Sequence, residues 1–255
     1  MPLGPHATLP ALLCALALAG CGSQPVSALP PAATLPDAPP PASPPAGRLV
    51  RTSGTGYAPL HDPAAVTAAG RTFAVDRRGN TLRVLEGGRV IRHLPTGLEP
   101  AAVTVAGHGS QVAVLSVRER VLDLFDARTL KRIGRANAGS GPAQVASDGG
   151  TYLYVTDSIG GSVLVFHTVG KLALVRRYGL AGNPWAIVHD EQRRRLWVTL
   201  AGANRLAELT TGRRIRRLAN YASLRQPSAV AVDRGTVSVT GRDQGVVQLL
   251  EPRTR

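Results

Sequence analysis

Short runs of alternating apolar and polar residues fill the chain from about residue 62 onwards, separated by glycine, proline, asparagine and aspartate. Most runs are rich in β-branched and aromatic side chains, as in residues 152–156 (YLYVT). A period of two over so few residues is typical of strands, whereas no long window shows the spacing of an amphipathic helix. The pattern therefore predicts an all-β fold.

The runs recur in a repeat of about 42 residues, and each copy opens on a proline followed by small and apolar residues. The opening prolines are Pro63, Pro100, Pro142, Pro184 and Pro227, which lie 37, 42, 42 and 43 residues apart. Each copy holds four strand-like runs, except that the fifth stops after three. A period of roughly 40 to 45 residues with short strands is typical of propeller blades. We therefore predict a β-propeller of about five four-stranded blades, which begin near residues 63, 100, 142, 184 and 227.

The fifth copy lacks a fourth strand, and an unpaired edge in a propeller invites association with other chains. Residues 48–51 (RLVR) precede the first proline and are the natural partner for that edge. The propeller domain is then residues 48–255, whose 208 residues match five blades. A degenerate sixth blade, or a ring shared between chains, is the alternative.

One copy carries the motifs of a known repeat class. Residues 154–157 (YVTD), 161–166 (GSVLVF) and 182–184 (GNP) resemble the YVTN-type β-propeller repeat, and residues 197–199 and 238–240 are fainter copies. The resemblance covers about four-fifths of the chain, although residues 63–99 match poorly. It implies a propeller fold but no particular activity, because such folds have many unrelated functions.

The N-terminus resembles the signal of a bacterial lipoprotein. Residues 9–19 are apolar but too short to span a bilayer, and residues 18–21 (LAGC) look like a lipobox. This resemblance implies that residues 1–20 are a signal peptide and that the Cys21 thiol receives a diacylglycerol. One departure is that residues 1–8 contain no Lys or Arg, which a signal peptide normally carries. An ordinary secretory signal with a chance cysteine is the alternative.

Residues 21–47 would then be the lipidated cysteine and a linker. Residues 22–47 contain nine prolines and a single charge, on Asp37. Such a segment lacks the apolar content to pack and favours extended polyproline II, so we expect a disordered tether of up to about 80 Å. Because Cys14 falls in the signal and Cys21 would be acylated, the propeller would contain neither a thiol nor a disulfide.

The formal net charge of +14 comes almost wholly from arginine, since the chain has only two lysines. The predicted basic patch lies in the fourth blade and consists of Arg193, Arg194, Arg195, Arg213, Arg214, Arg216 and Arg217. Such a patch fits anionic lipid headgroups, wall polymers or an acidic partner. The alternative is a solvated outer strand. Nucleic acid fits less well, because the chain has few aromatic residues to stack on bases and the lipobox implies export.

The loops that lead into each first strand and the loops between second and third strands share one face of a propeller. Trp185 stands out on this face, because the other copies have alanine or serine at its position. It is either an anchor for a partner or a core residue between blades. The candidate ligand-binding residues are His61, Asp62, Glu99, Asn183, Trp185, Arg225, Gln226 and Arg242. We expect this face to hold the ligand and the blade-four arginines to set its association rate.

Enzyme motifs are scarce. The chain has neither a two-histidine metal spacing nor a Gly-x-Ser-x-Gly elbow, and its glycine runs precede strands rather than helices. We assign no catalytic residue, metal ligand or cofactor. Two functions remain open. The first is a module lipid-anchored on the outer side of the cell membrane that binds or scaffolds an envelope protein, a glycan or another anionic ligand. The second is a propeller-type lyase or hydrolase with its site at the channel mouth.

Overall fold

A computed structural model describes residues 29–51, 64–242 and 245–252. Its strands form five antiparallel four-stranded sheets, which confirms the predicted all-β fold with about five four-stranded blades. Apart from one 3-10 turn at Gly107–Gly109, the described ranges contain no helix. Within those ranges, accordingly, no helix is long and apolar enough to cross a membrane.

The strands follow the repeat. Strand β1 (Arg48–Arg51) precedes the blades along the chain but belongs to the fifth sheet. The first blade consists of β2 (Ala65–Ala68), β3 (Arg71–Asp76), β4 (Thr81–Glu86) and β5 (Arg89–Pro95). The second consists of β6 (Pro100–Ala106), β7 (Gln111–Ser116), β8 (Val121–Asp126) and β9 (Arg132–Asn137). The third consists of β10 (Pro142–Ser147), β11 (Tyr152–Asp157), β12 (Ser162–His167) and β13 (Ala173–Gly179). The fourth consists of β14 (Pro184–Asp190), β15 (Arg195–Leu200), β16 (Arg205–Thr210) and β17 (Arg217–Ala222). The fifth consists of β18 (Ala229–Asp233), β19 (Thr236–Thr240), β20 (Val246–Leu250) and β1.

Apolar clusters between neighbouring blades form the core. Phe73 lies in the cluster of blades one and two, Leu115 in that of blades two and three, Tyr154 in that of blades three and four, and Trp197 in that of blades four and five. Between blades five and one, the described residues form no such cluster. Ser238 alternates with residues that pack on blade four, so it points to the opposite side of its sheet. Within the described ranges, the apolar clusters therefore join the blades in chain order from one to five.

Strand β1 completes the fifth blade. It runs antiparallel to β20, with Arg48 opposite Leu249 and Arg51 opposite Val246. The fully buried amide of Gln248 reinforces this corner, because its Nε2 donates to the carbonyls of Ala46 (2.7 Å) and Ala222 (2.9 Å).

Residues 29–47, which we call the strap, differ from the free tether expected for residues 21–47. Ala32 packs against the cluster of blades two and three, Ala46 packs against that of blades four and five, and Ala38 between them is only 4% exposed. Residues 32, 35, 38 and 41 are at least half-buried, whereas residues 34, 37 and 40 are exposed. This spacing matches polyproline II, which has about three residues per turn. The strap lies against the ring, where blade side chains bind its carbonyls.

Candidate functional site: the two ends of the central channel

The antiparallel order of the strands gives the ring two distinct faces. The loops that end at the repeat prolines and the loops between second and third strands lie on one face, here called the proline face. The loops between first and second strands and between third and fourth strands lie on the other, here called the far face. A strand of six residues is about 20 Å long, so groups on opposite faces are too far apart to contact one small ligand.

Trp185 lies at the proline-face end of the channel. It lines a cavity of about 190 Å³ together with Ala101, Ala143, Gln144 and Ser228. Its side chain is half-buried and packs against the cluster between blades four and five. Trp185 is therefore both a wall of the channel and part of the core.

Asn183 and Glu99, two other proline-face candidates, bind the protein itself. Both precede repeat prolines and have left-handed backbone, with φ of 56° and 54°. The Asn183 side-chain amide donates to the carbonyl of Ser158 at 3.2 Å. The Glu99 carboxylate forms ion pairs with Arg77 and Arg118 at 3.3 and 3.5 Å. These contacts join neighbouring loops, so both side chains have a structural role.

The structure brings Arg225, Gln226 and Arg242 together with Asn204, and all four contact the strap. The Asn204 side-chain oxygen also accepts from the Gln226 backbone N–H at 2.8 Å, which ties blade four to blade five. The contacts of this group with the strap join residues that are remote in the sequence, so no sequence pattern could predict them. His61, Asp62 and Cys21, which complete the predicted site residues, lie outside the described residues, as does the predicted signal peptide.

The far-face end of the channel is wider, with a cavity of about 910 Å³. First strands of all five blades line it, and its polar lining includes Asp148, His189, Glu191, Gln192 and Arg234. A cavity of this size accepts a drug-sized ligand. The candidate ligand-binding residues predicted from the sequence all lie at the proline face, so this cavity was not predicted; the available signal was the run of charged residues in the loop after β14.

His189 is half-buried in this lining, and its pKa is perturbed. Burial lowers the pKa of His189 below its ordinary value, and Arg194 adds to this effect, while Asp148, Asp190 and Glu191 oppose it. The imidazole is therefore neutral at neutral pH and can donate or accept a hydrogen bond inside the cavity. Among the described residues, no group of three or more His, Cys, Asp or Glu side chains is arranged to hold a metal ion.

The predicted basic patch divides into paired and free arginines. The side chain of Arg193 is only 13% exposed and forms an ion pair with Asp190 at 3.1 Å, and Arg195 forms one with Glu208 at 3.5 Å. Neither belongs to an open patch. The remaining members are exposed and form no ion pair within the described ranges: Arg194, Arg213, Arg214, Arg216 and Arg217.

The free arginines lie at the far end of the blade from Trp185. Arg194 is in the loop between β14 and β15, and Arg213, Arg214 and Arg216 are in the loop between β16 and β17. Both loops belong to the far face, and the Thr211 hydroxyl joins them by donating to the carbonyl of Arg194 at 3.3 Å. The patch therefore shares a face with the wide cavity and not with Trp185, although none of its arginines lines the cavity, and the expected single site at Trp185 separates into two.

Comparisons with known proteins define a class but no closer relationship. No protein-family model matches the chain, and no curated protein matches it. Solved structures do match. A streptogramin B lyase has a TM-score of 0.60 and 17% identity, with 74% of this chain and 64% of the lyase covered. A functionally unknown protein from Desulfotomaculum acetoxidans has a TM-score of 0.66 and 15% identity, with 74% and 65% covered.

A third structure, the dihydro-heme d1 dehydrogenase NirN, has a TM-score of 0.61 and 18% identity, with 81% of this chain and 46% of NirN covered. The chain thus spans less than two thirds of each of these three structures. At such identities the likeness shows the fold alone, so the protein is a β-propeller whose function must be argued from its own residues.

Proposed function

We propose that this chain is a lipid-anchored extracytoplasmic β-propeller that acts as a binding or scaffolding module for an anionic envelope ligand. The ligand-binding surface is the far face, which holds both the wide channel cavity and the free arginines. The observation that carries the proposal is this shared face: Arg194 follows Glu191 and Gln192, which line the cavity, and the Thr211 hydroxyl joins its loop to the loop of Arg213, Arg214 and Arg216.

Charge and shape have separate roles in this arrangement. Exposed arginines without acidic partners raise the local concentration of anions and speed their association. The cavity supplies the enclosed contact area that gives a ligand affinity. Envelope polymers and acidic proteins present both the charge and the protruding groups that such a surface can bind.

The test uses full-length protein and an envelope extract, with captured material identified by mass spectrometry. Arg213→Glu with Arg216→Glu should lose the ligand that wild type retains, and added salt should weaken wild-type capture. Arg51→Glu with Arg78→Glu is the matched control, because these exposed arginines lie at the proline face and undergo the same change of charge. Equal capture by wild type and by both double variants would contradict the proposal.

Anchoring is tested separately at Cys21. Wild type should incorporate labelled fatty acid and sediment with membranes, whereas Cys21→Ser should do neither. A Cys21→Ser protein that stays in the membrane fraction, with an unlabelled wild type, would exclude lipidation.

A lyase or hydrolase is the second candidate, and His189 favours it. A neutral imidazole inside the cavity, close to carboxylates, is a potential general base. If the captured ligand is converted over time by wild type but only bound by His189→Gln, the protein is an enzyme. If wild type and His189→Gln both bind the ligand and neither converts it, the protein is a binding module.

A further inference from the structure

The strap is held at a polar recess between blades four and five, which we call the strap site: Asn204, Arg225, Gln226 and Arg242. Three of its side chains bind backbone carbonyls of the strap. Asn204 Nδ2 donates to Pro39 at 2.7 Å, Arg225 Nε to Ala38 at 3.1 Å and Gln226 Nε2 to Pro36 at 2.6 Å. The strap site therefore recognises mainly the backbone of the strap.

Backbone carbonyls are what a proline-rich segment offers. Polyproline II has no internal hydrogen bonds, and proline has no N–H, so the carbonyls of such a segment need donors from elsewhere. The side-chain N–H groups of the strap site donate to the carbonyls of residues 36, 38 and 39 of the strap. The site is therefore suited to bind a peptide in an extended conformation.

Two side chains of the strap add selectivity. Ala38 is 4% exposed, so the site accepts only a small residue at this position. Asp37 lies beside it, and its Oδ1 accepts from Arg242 Nη1 at 2.8 Å. The exposed ion pair adds little affinity, but it favours an acidic residue there over a basic one.

The two amides of the site are oriented before any peptide binds. The oxygen of Asn204 is occupied by the N–H of Gln226, and the oxygen of Gln226 accepts from Arg242 at 3.0 Å. Both residues are buried, at 6% and 1% exposure. Each amide nitrogen is therefore directed to the strap by contacts within the ring.

The other blades lack this pair. Asn80 is the counterpart of Asn204, and its oxygen likewise accepts from the backbone N–H that opens the next blade, at 2.8 Å. The counterpart of Gln226 there is Glu99, whose carboxylate cannot donate to a carbonyl. The combination of asparagine and glutamine is therefore specific to the junction of blades four and five.

We propose that the strap site is a binding site for extended proline-rich peptides with the order proline, acidic, small, proline, and that residues 36–39 occupy it in cis. Because the strap is covalently attached, it competes at a high effective concentration. A partner segment of the same chemistry gains the site only when the strap is released. This proposal is independent of the far face and of lipidation.

The experiment measures binding of a fluorescein-labelled peptide of residues 31–42 to the full chain by fluorescence anisotropy. Ala38→Arg places a bulky cation where only a methyl group fits and should release the strap in cis. This variant should bind the peptide about tenfold or more tightly than wild type, because the fraction of open sites rises. Pro36→Gly with Pro39→Gly, which makes the strap less extended, is a second releasing variant that avoids adding a charge.

Isosteric variants then identify the receptor. In the Ala38→Arg chain, Gln226→Glu removes the donor to Pro36 and should weaken peptide binding about tenfold or more. Asn80→Asp in the same chain is the matched control, because it keeps the bonded acceptor oxygen and should leave peptide binding unchanged. Absence of peptide binding by both releasing variants while they remain folded by circular dichroism would overturn the proposal. Binding that is insensitive to Gln226→Glu would overturn it equally, by placing the peptide elsewhere.

Discussion

Replacing Gln248 tests how the strand before the first blade is attached to the last. The buried amide of Gln248 makes four hydrogen bonds: two donated to the carbonyls of Ala46 and Ala222, and two accepted, from the Ser223 hydroxyl at 2.8 Å and the Leu224 N–H at 3.3 Å. Gln248→Leu keeps roughly the same volume and removes all four. At about 1 kcal/mol for each bond, less about 1 kcal/mol regained from the added apolar burial, the loss of unfolding free energy should be about 3 kcal/mol.

Denaturant unfolding followed by circular dichroism measures this loss directly, and the thermal midpoint should fall by about 6–12 °C. Gln192→Leu is the control, because Gln192 is exposed and should change stability by less than about 0.5 kcal/mol. Gln248→Glu retains an acceptor but removes both donated bonds and places a buried carboxylate against the carbonyls of Ala46 and Ala222, so it should cost at least as much as leucine. A loss below about 1 kcal/mol for Gln248→Leu would refute the view that this amide holds β1 and the strap end in place.

Three further outcomes are expected. Trp185→Ala should remain folded but lose about 2 kcal/mol, since the ring is only half-buried; no loss of stability would show that its packing is unimportant. Asp157→Ala should lower the free energy of unfolding by about 3–5 kcal/mol, as measured with denaturant. The reason is that this buried carboxylate accepts from the N–H groups of Gly141 and Gly160 and pairs with Arg177. A loss below about 1 kcal/mol would contradict this. His189 has a lowered pKa in the folded protein, so the unfolded chain binds more protons and stability falls as pH drops below about 6.5. His189→Gln should therefore lose less stability than wild type between neutral and mildly acidic pH; identical pH profiles for wild type and His189→Gln would refute the assignment.

Much of the fold could be predicted because its signals are local and repeated. The alternation of apolar side chains marks each strand, and the return of a proline after about 42 residues marks each blade, so the number of blades follows by counting. Composition could not predict that the strap docks on the ring, because the strap is held by hydrogen bonds between partners 165 to 205 residues apart in the sequence, and its carbonyls are common to every residue type.

The candidate site was predicted less well, and the arginines show why. Arg193 and Arg213 look alike in the sequence, yet Arg193 is largely shielded from solvent and paired with Asp190, whereas Arg213 is exposed in a loop. The position of both arginines on the far face does follow from strand order. In an antiparallel sheet, successive loops lie at opposite ends of the strands. The sequence by itself thus determined the repeat, the strands and the end of the ring at which each loop lies. Only the tertiary structure decided which charges are neutralised, how wide the channel is at each end and what covers the strap site, because these depend on distances between side chains that are remote in the sequence.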